Sequence, residues 1–192
     1  AAAVTKGDVT VKNVIPKHLE SITAKLLEIG CEVEEADDCI RVVASKPLKH
    51  TQVKTLPYPG FPTDLQSPLM ALMAAGNGNG EIRETVFEER FGTAEELRKL
   101  GARIEIQKDR ARIHGMYPLR GETVQAADLR GGAALVIAGL AAEGVTKIQN
   151  SHHIFRGYED ICGDLRALGA RVRYKDLIQR PYTKTGECTR NL

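Results

Sequence analysis

The sequence lacks the features that mark several classes of protein. It has no tryptophan, and aromatic residues make up only 5% of its 192 residues, which leaves no stacking platform for nucleic acid bases. Its formal net charge is +2, and lysine and arginine are scattered, so no basic surface is predicted to bind nucleic acid. The longest apolar run, Gly132–Ala142, is too short to span a bilayer.

The N-terminal and cysteine patterns exclude two further classes. The opening AAAVTKGDVTV does not pair a basic region with a long apolar one, so no secretory signal is predicted. The four cysteines lack C-x-x-C spacing and have no histidine at metal-ligand intervals; they are Cys31, Cys39, Cys162 and Cys188. Buried or incidental thiols in a reducing compartment explain them. We therefore predict a cytoplasmic protein with no metal, no cofactor, and no membrane or nucleic acid partner.

What the chain does contain is a repeated unit. Each copy has a glycine, a short strand, a loop, an amphipathic helix, a glycine stop and a second strand. The copies are GDVTVKNVIPKHLESITAKLLEIGCEVEE, GEIRETVFEERFGTAEELRKLGARIEIQ and GVTKIQNSHHIFRGYEDICGDLRALGARVRY. Their stops, Gly30, Gly101 and Gly169, suit the left-handed conformation that follows a helix end. In the second copy, Thr93 and Glu96 predict a capping box.

A second helix type precedes two of the copies. One starts at Asp64 (DLQSPLMALMAAG) and the other at Asp128 (DLRGGAALVIAGLAAEG). Both are apolar nearly all round, which predicts burial on every side and therefore an α/β fold with surface sheets and buried helices. AAAVTKG resembles only the last turn of a third such helix. We predict an incomplete domain of three repeat units over residues 1–177, the first unit truncated, and a flexible C-terminal tail over 178–192.

Charged side chains beside helix starts are the candidates for chemistry. Asp64 and Asp128 sit where a carboxylate caps a helix, and composition favours that interpretation. A carboxylate at such a position can instead accept a proton from a substrate hydroxyl. Arg90 and Arg156 lie at equivalent points of two copies and suit bidentate binding of phosphate or carboxylate, although a surface salt bridge would explain either one alone. Arg130 can join them.

Two further motifs have structural interpretations. His152 and His153 are adjacent, so we expect them to point to opposite sides and at most one to face a site. The GNGNG run from Gly76 looks like a phosphate-binding loop, but it follows a helix rather than a strand. We interpret it as a helix stop and turn.

Four strings in this chain resemble the enolpyruvyl transferases, and the match is best to the branch that uses a sugar nucleotide. The strings are YPGFPTDLQ, ETVFEERF, ADLRGGAALVIAGLAAEG and HHIFRGYEDICGDLRALGA, and the resemblance runs in order from Ala1 to Lys175. It implies an inside-out α/β barrel of repeated β/α units. It also implies a longer, two-domain enzyme, of which this chain is the C-terminal portion.

The resemblance implies a reaction as well. The enolpyruvyl group of phosphoenolpyruvate is transferred to the 3′-hydroxyl of UDP-N-acetylglucosamine, and phosphate is released, in the first committed step of peptidoglycan synthesis. The expected partners are these two substrates and the N-terminal half. The family's reactive cysteine lies in that half, and none of the four cysteines here has a matching context. This portion alone is therefore expected to be inactive.

Motif positions carry the family's roles onto residues of this sequence. The resemblance implies that Asp64 contacts the sugar hydroxyl and is the base, and that Val86 offers a backbone contact to the sugar nucleotide. It implies that Arg90 and Arg156 hold the phosphoenolpyruvate anion. Four further residues fall on motif positions near the cleft without an assigned role: Glu88, Asp128, Leu129 and His153.

Two alternative functions stay open. One is 3-phosphoshikimate 1-carboxyvinyltransferase, which has the same fold but is disfavoured because the four strings match the sugar-nucleotide branch better. The other is a non-catalytic binding module of this fold. The joint presence of Asp64, Arg90 and Arg156 argues against that module.

Overall fold

The computed structural model describes residues 1–115 and 118–174. The chain divides into a larger unit, Ala1–Glu159, and a smaller one, Asp160–Leu192. Helices and strands are interspersed through the larger unit, which confirms the predicted α/β class. The predicted tail over 178–192, its boundary at residue 177 and Cys188 lie outside the described residues. Within the described ranges, no helix has the length and apolar character needed to cross a membrane.

The first sheet holds three antiparallel strands in the spatial order β1-β3-β2. They are β1 (Asp8–Lys12), β2 (Glu32–Glu35) and β3 (Cys39–Val43). A 3-10 turn at Pro16–Leu19 leads into α1 (Glu20–Ile29). Gly30 ends this helix with φ 108°, and its N–H donates to carbonyls of the last turn. The predicted glycine stop is therefore confirmed, because that backbone conformation strains any residue with a Cβ.

The second sheet has four strands in the order β4-β5-β7-β6. They are β4 (Gln52–Lys54), β5 (Gly78–Arg83), β6 (Arg103–Gln107) and β7 (Arg110–Gly115). β4 runs parallel to β5, and the other pairs are antiparallel. Helix α2 (Gln66–Ala75) connects β4 to β5, and α3 (Thr93–Lys99) connects β5 to β6.

A parallel strand pair completes the larger unit. It joins β8 (Thr123–Gln125) to β9 (Lys147–Gln149), with α4 (Leu129–Ala141) as the connection. A single-turn helix, α5 (His152–Phe155), follows. In the smaller unit, α6 (Ile161–Ala167) is the helix predicted for the third copy, and Gly169 after it has φ 93°.

The core is built around the two apolar helices, as predicted. Every residue of α2 except Pro68 is buried, and α4 packs directly against it. Small residues let other elements approach α4 closely. A Cβ at Gly132 would lie 2.6 Å from Cγ1 of Ile154, so glycine is what allows α5 to sit on this helix. The packing brings the first turn of α4 beside the loop that precedes α2.

The predicted capping box at Thr93 and Glu96 is wrong. Gly92 occupies the N-cap, and Thr93 is the first helical residue. Its side chain turns into the core, where its hydroxyl lies 3.3 Å from that of Ser67. Glu96 instead accepts a hydrogen bond from the backbone N–H of Gln125, 2.8 Å away. Burial of Thr93 against α2 has therefore overridden the local capping preference.

Three smaller expectations need correction. His152 and His153 do not point to opposite sides, since their ring centroids are 4.1 Å apart. They lie on a helix, where neighbours are separated by about 100° rather than the 180° of a strand. The strand predicted after Gly169 is absent from residues 171–174. Gly76 ends α2 as predicted, but the run Gly78–Gly80 belongs to β5 rather than to a turn.

Truncating the core of α4 should destabilise the protein strongly. Leu135 is 1% exposed, so Leu135→Ala leaves a cavity and should lower the free energy of unfolding by about 2–5 kcal/mol. Leu27→Ala is the matched control, because Leu27 is 53% exposed on α1 and should change stability by less than about 1 kcal/mol. Urea denaturation of both variants measures the difference. Equal losses would contradict the placement of α4 in the core.

Candidate functional site

The loop before α2 places Asp64 at the site. Pro62 is extended, and Thr63–Leu65 form a 3-10 turn that runs into α2. Pro62 precedes the turn and Leu65 precedes the helix, and neither side chain makes a capping hydrogen bond. Among the described residues, Asp64 accepts from arginine side chains and from no backbone N–H, so the capping interpretation of Asp64 is wrong. The carboxylate instead faces two arginines from other segments of the chain.

Asp64 is shared between two guanidinium groups. Arg130 binds it bidentately, with Nε 2.8 Å from Oδ1 and Nη2 2.8 Å from Oδ2. Arg90 adds a third contact, with Nη2 3.0 Å from Oδ1. Arg130 lies in the first turn of α4 and Arg90 in the loop between β5 and α3, so three separate segments meet here. We call these three residues the Asp64 cluster.

The two arginines lower the basicity of Asp64. The hydrogen bonds from Arg130 are the largest influence, and with those from Arg90 they hold the pKa of Asp64 below its usual value, against a smaller opposing effect of burial. The same contact raises the pKa of Arg130. The Asp64 side chain is 54% exposed, so solvent screens the pair and its contribution to stability is small. The carboxylate is therefore ionised and weakly basic in this arrangement.

Asp128 does cap a helix, as its position predicts. Its Oδ1 accepts from the backbone N–H groups of Arg130 and Gly131, each at 2.8 Å. It is the N-cap of α4 and satisfies two backbone donors that the helix leaves free. This contact also fixes the turn from which Arg130 projects.

Arg90 is held on three sides. Besides Asp64, its Nη1 donates to Oγ1 of Thr63 at 2.7 Å, and its Cζ lies 4.7 Å from the ring centroid of Phe87. Its side chain is 24% exposed. A hydrogen bond, an ion pair and a cation–π contact thus orient one guanidinium group.

Beneath Arg90 lies a buried carboxylate. Glu84 follows β5 and is 2% exposed. It accepts four hydrogen bonds: from the hydroxyls of Thr55 and Thr63, both at 2.8 Å, and from the N–H groups of Val86 and Phe87, at 2.9 and 3.1 Å. Burial is the largest single influence and raises its pKa, but the hydrogen bonds together outweigh it and keep the pKa below its usual value.

A cleft of about 390 Å³ opens beside these groups. Arg90 and Arg130 line it together with Glu88 and the N-cap residue Asp128. Two cations at the mouth of a helix suit an anionic ligand that carries phosphate or carboxylate. The structure thus brings Asp64, Arg90 and Arg130 into contact, with Glu88 and Asp128 beside them.

The remaining predicted residues lie outside the cluster. Arg156 directly follows α5, is exposed, and has no side-chain hydrogen bond or ion pair within the described ranges. The next residue, Gly157, passes so close to Leu129 that a Cβ there would meet the leucine Cδ2 at 2.7 Å. His153 is half-buried on α5, and Val86 is exposed.

The sequence prediction missed both Glu84 and the contact that Thr63 makes with Arg90. Glu84 is chemically the same as Glu88 and Glu89 in ETVFEER, which are exposed. One signal was available. Ile82 is fully buried on β5, and a residue two positions further along shares its face of the strand, so the alternation directs Glu84 inward.

Comparison with known proteins gives this site its context. A family model described as EPSP synthase (3-phosphoshikimate 1-carboxyvinyltransferase) matches residues 1–165. Two relatives, from Finegoldia magna and Caldanaerobacter subterraneus, are 52% and 55% identical over 90% of this chain. A third, from Desulfofundulus thermocisternus, is 53% identical over 90%. All three are named UDP-N-acetylglucosamine 1-carboxyvinyltransferase, with the number 3 added for the Caldanaerobacter protein.

Solved structures agree on the fold. The enolpyruvyl transferase NikO from Streptomyces tendae superposes with a TM-score of 0.79 at 33% identity, over 86% of this chain and 39% of its own. EPSP synthase from Acinetobacter baumannii superposes with a TM-score of 0.59 at 18% identity, over 77% of this chain and 36% of its own. At that identity the match shows likeness of fold alone.

The chain covers different fractions of the length of these relatives. The chain spans about two fifths of the Finegoldia and Caldanaerobacter proteins and 71% of the Desulfofundulus one. Because the family model covers most of the sequence and more than half of the aligned residues are identical to those of these relatives, the chain belongs to the EPSP synthase family of enolpyruvyl transferases.

Proposed function

We propose that this chain carries the base and part of the anion site of a UDP-N-acetylglucosamine enolpyruvyl transferase. The reaction moves the enolpyruvyl group of phosphoenolpyruvate to the 3′-hydroxyl of UDP-N-acetylglucosamine with release of phosphate, the first committed step of peptidoglycan synthesis. One observation carries the proposal: Asp64 lies between Arg90 and Arg130 in a chain 52% identical to a protein of that name.

The chemistry needs the groups that the cluster supplies. The sugar oxygen bonds to C2 of phosphoenolpyruvate while C3 takes up a proton, and the hydroxyl proton goes to a base. The bond from C2 to the phosphate oxygen then breaks, and loss of a proton from C3 restores the double bond. A carboxylate serves as the base, and guanidinium groups stabilise a substrate that carries both phosphate and carboxylate.

The ion pairs of Asp64 suggest how the base becomes active. While both arginines hold it, the pKa of Asp64 is lowered and the carboxylate is a weaker base than a free aspartate. An incoming phosphate or carboxylate competes for the same N–H donors. Each donor that turns to the substrate removes a stabilising contact from the Asp64 carboxylate, so the pKa of Asp64 rises. Binding of the anion thereby activates the base.

The other predicted residues receive roles from their surroundings. Arg130 joins Arg90 as a cation for phosphoenolpyruvate, since its fork already binds a carboxylate bidentately. Arg156, with its exposed guanidinium, is a third. Val86 meets the sugar nucleotide through its carbonyl, because its N–H is engaged by Glu84. Asp128 acts as the cap of α4.

We propose that the complete active site also includes residues outside this chain. The chain spans about two fifths of the length of the Finegoldia relative. The family resemblance implies that the remaining groups, including a reactive cysteine, lie in the region that corresponds to the rest. That region is the expected partner of this portion, together with the two substrates.

Identity favours the sugar nucleotide over shikimate 3-phosphate as acceptor. The matching family model is described by the shikimate enzyme, but the EPSP synthase structure is only 18% identical to this chain. Relatives named for UDP-N-acetylglucosamine are 52–55% identical. A binding module without activity would keep anion affinity and show no turnover.

Replacing the proposed base should abolish most of the turnover. Asp64→Asn keeps the shape of the side chain but removes its basicity, so kcat should fall by about 10²–10⁴-fold, the usual contribution of a positioned base. Phosphate release from phosphoenolpyruvate, dependent on UDP-N-acetylglucosamine, measures it in the complete protein encoded by the reading frame that carries this chain.

Asp109→Asn is the matched control. Asp109 also binds an arginine, with Oδ2 2.6 Å from Nε of Arg83, but on the exposed end of the second sheet. It should retain turnover. Normal turnover in Asp64→Asn would move the base elsewhere, and no turnover in the unmodified protein would contradict the proposed function itself.

Weakening the bidentate pair should raise the pKa of Asp64. Lysine cannot reproduce the fork of Arg130, so Arg130→Lys should bring the pKa up toward the ordinary 3.8. The pKa of Asp64 is lower in the folded protein than in the unfolded chain. The stability that the pair contributes is therefore complete above the ordinary pKa of 3.8, and it is lost as the pH falls through the lower folded-state pKa. Carbon-13 NMR of the Asp64 carboxyl follows the titration.

Arg112→Lys serves as the control for this titration, since Arg112 contacts Glu81 rather than Asp64. It should leave the Asp64 titration unchanged. An unaltered Asp64 pKa in Arg130→Lys would show that the pair seen here does not persist in solution.

A further inference from the structure

We propose that Glu84 is the positioning residue for Arg90, acting through Thr63 and Phe87 without touching substrate. The inference rests on the proposed function, because it treats Arg90 as a ligand of the phosphoenolpyruvate anion. Its observation is separate, namely a carboxylate 2% exposed that accepts four hydrogen bonds beneath the site.

The first route runs through a hydroxyl. Thr63 has one hydroxyl proton, and it goes to Oε2 of Glu84 at 2.8 Å. The oxygen lone pairs are then left for Nη1 of Arg90, which donates at 2.7 Å. Because ionised Glu84 can only accept, it fixes the direction of the Thr63 hydroxyl and makes that oxygen an acceptor for the arginine.

The second route runs through the loop backbone. Oε1 of Glu84 accepts from the N–H groups of Val86 and Phe87, which closes the loop after β5 over the carboxylate. The ring of Phe87 then lies against the Arg90 guanidinium, 4.7 Å from its Cζ. The buried Glu84 carboxylate therefore fixes both Thr63 and Phe87, the polar and the aromatic residue that contact the Arg90 guanidinium.

With this arrangement, Arg90 can exchange Asp64 for a substrate anion while its guanidinium keeps its orientation. Nη1 is committed to Thr63 and the planar face to Phe87, whereas Nη2 contacts the solvent-exposed carboxylate of Asp64. A substrate anion that takes over Nη2 meets a guanidinium already oriented. Such preorganisation lowers the entropic cost of binding.

The proposal assigns different effects to conservative and non-conservative changes. In Glu84→Gln, the amide presents N–H donors toward Thr63, so the Thr63 hydroxyl loses its acceptor. The amide also competes with Arg90 for the lone pairs of the hydroxyl oxygen. Thr63→Val removes the hydroxyl altogether. Thr63→Ser keeps it. The first two variants should raise the KM for phosphoenolpyruvate by about tenfold to a hundredfold, the size of one hydrogen bond to a charged group, while the KM for the sugar nucleotide stays unchanged.

Kinetics on the complete protein, with Thr63→Ser and Thr85→Val as controls, make the first test. Thr85 lies in the same loop, but within the described part of the chain its hydroxyl donates to the carbonyl of Thr55 and not to Thr63 or Arg90, so both controls should keep the wild-type KM. The double variant Glu84→Gln/Thr63→Val should be no worse than its poorer single variant, because both act on one contact. If the two substitutions raised the KM independently, so that their effects multiplied in the double variant, the proposed route would be overturned. A wild-type KM for phosphoenolpyruvate in the single variants would overturn it too.

A readout without activity separates this inference from the proposed function. A held guanidinium rotates slowly about its Nε–Cζ bond, so Arg90 should give distinct Nη signals in nitrogen-15 NMR of the folded protein. Glu84→Gln and Thr63→Val should merge these signals, whereas Thr63→Ser should keep them apart. Merged signals in the unmodified protein, or separate signals in Thr63→Val, would overturn the positioning role. Absence of turnover with intact Nη signals would reject only the proposed reaction.

Discussion

A single carboxylate shared by two guanidinium groups links the loop before α2, the loop after β5 and the first turn of α4. Each segment alone would carry an ordinary surface charge. Together they concentrate two cations on Asp64 at the edge of a cleft. The pair contributes little to stability because solvent reaches it, and we propose that this weakness lets a substrate anion displace one partner.

The apolar helices hold these three segments in place. α2 is buried along nearly its whole length, and α4 packs against it, so the residues just before each helix emerge side by side. Asp64 and Asp128 look equivalent in sequence, but only Asp128 caps its helix. The difference follows from the backbone before each helix. Asp128 is extended and can reach back to the first N–H groups, whereas Asp64 lies within a 3-10 turn and faces outward.

The sequence predicted the elements whose signals are local. Buried helices follow from apolar faces all round, and glycine stops follow from the left-handed conformation at Gly30 and Gly101. The resemblance to enolpyruvyl transferases also identifies Asp64 and Arg90 as candidates from the sequence alone. What it left out depends on contacts between distant segments. The burial of Thr93 against Ser67 and of Glu84 beneath the loop after β5 are two examples. The alternation along β5 directs Glu84 inward, but no pattern within a few residues encodes its contacts with Thr55 and Thr63. The same holds for the contact of Thr93 with Ser67.

The central claim is that an anion activates Asp64 by drawing a guanidinium away from it. Carbon-13 NMR of the Asp64 carboxyl, titrated in the complete protein with and without saturating phosphoenolpyruvate, tests this most directly. Asp64→Asn assigns the signal. The account predicts a depressed pKa in the free protein and a higher one when phosphoenolpyruvate is bound. A pKa that stays the same or falls on binding would contradict it, because the substrate would then leave both guanidinium groups on the carboxylate.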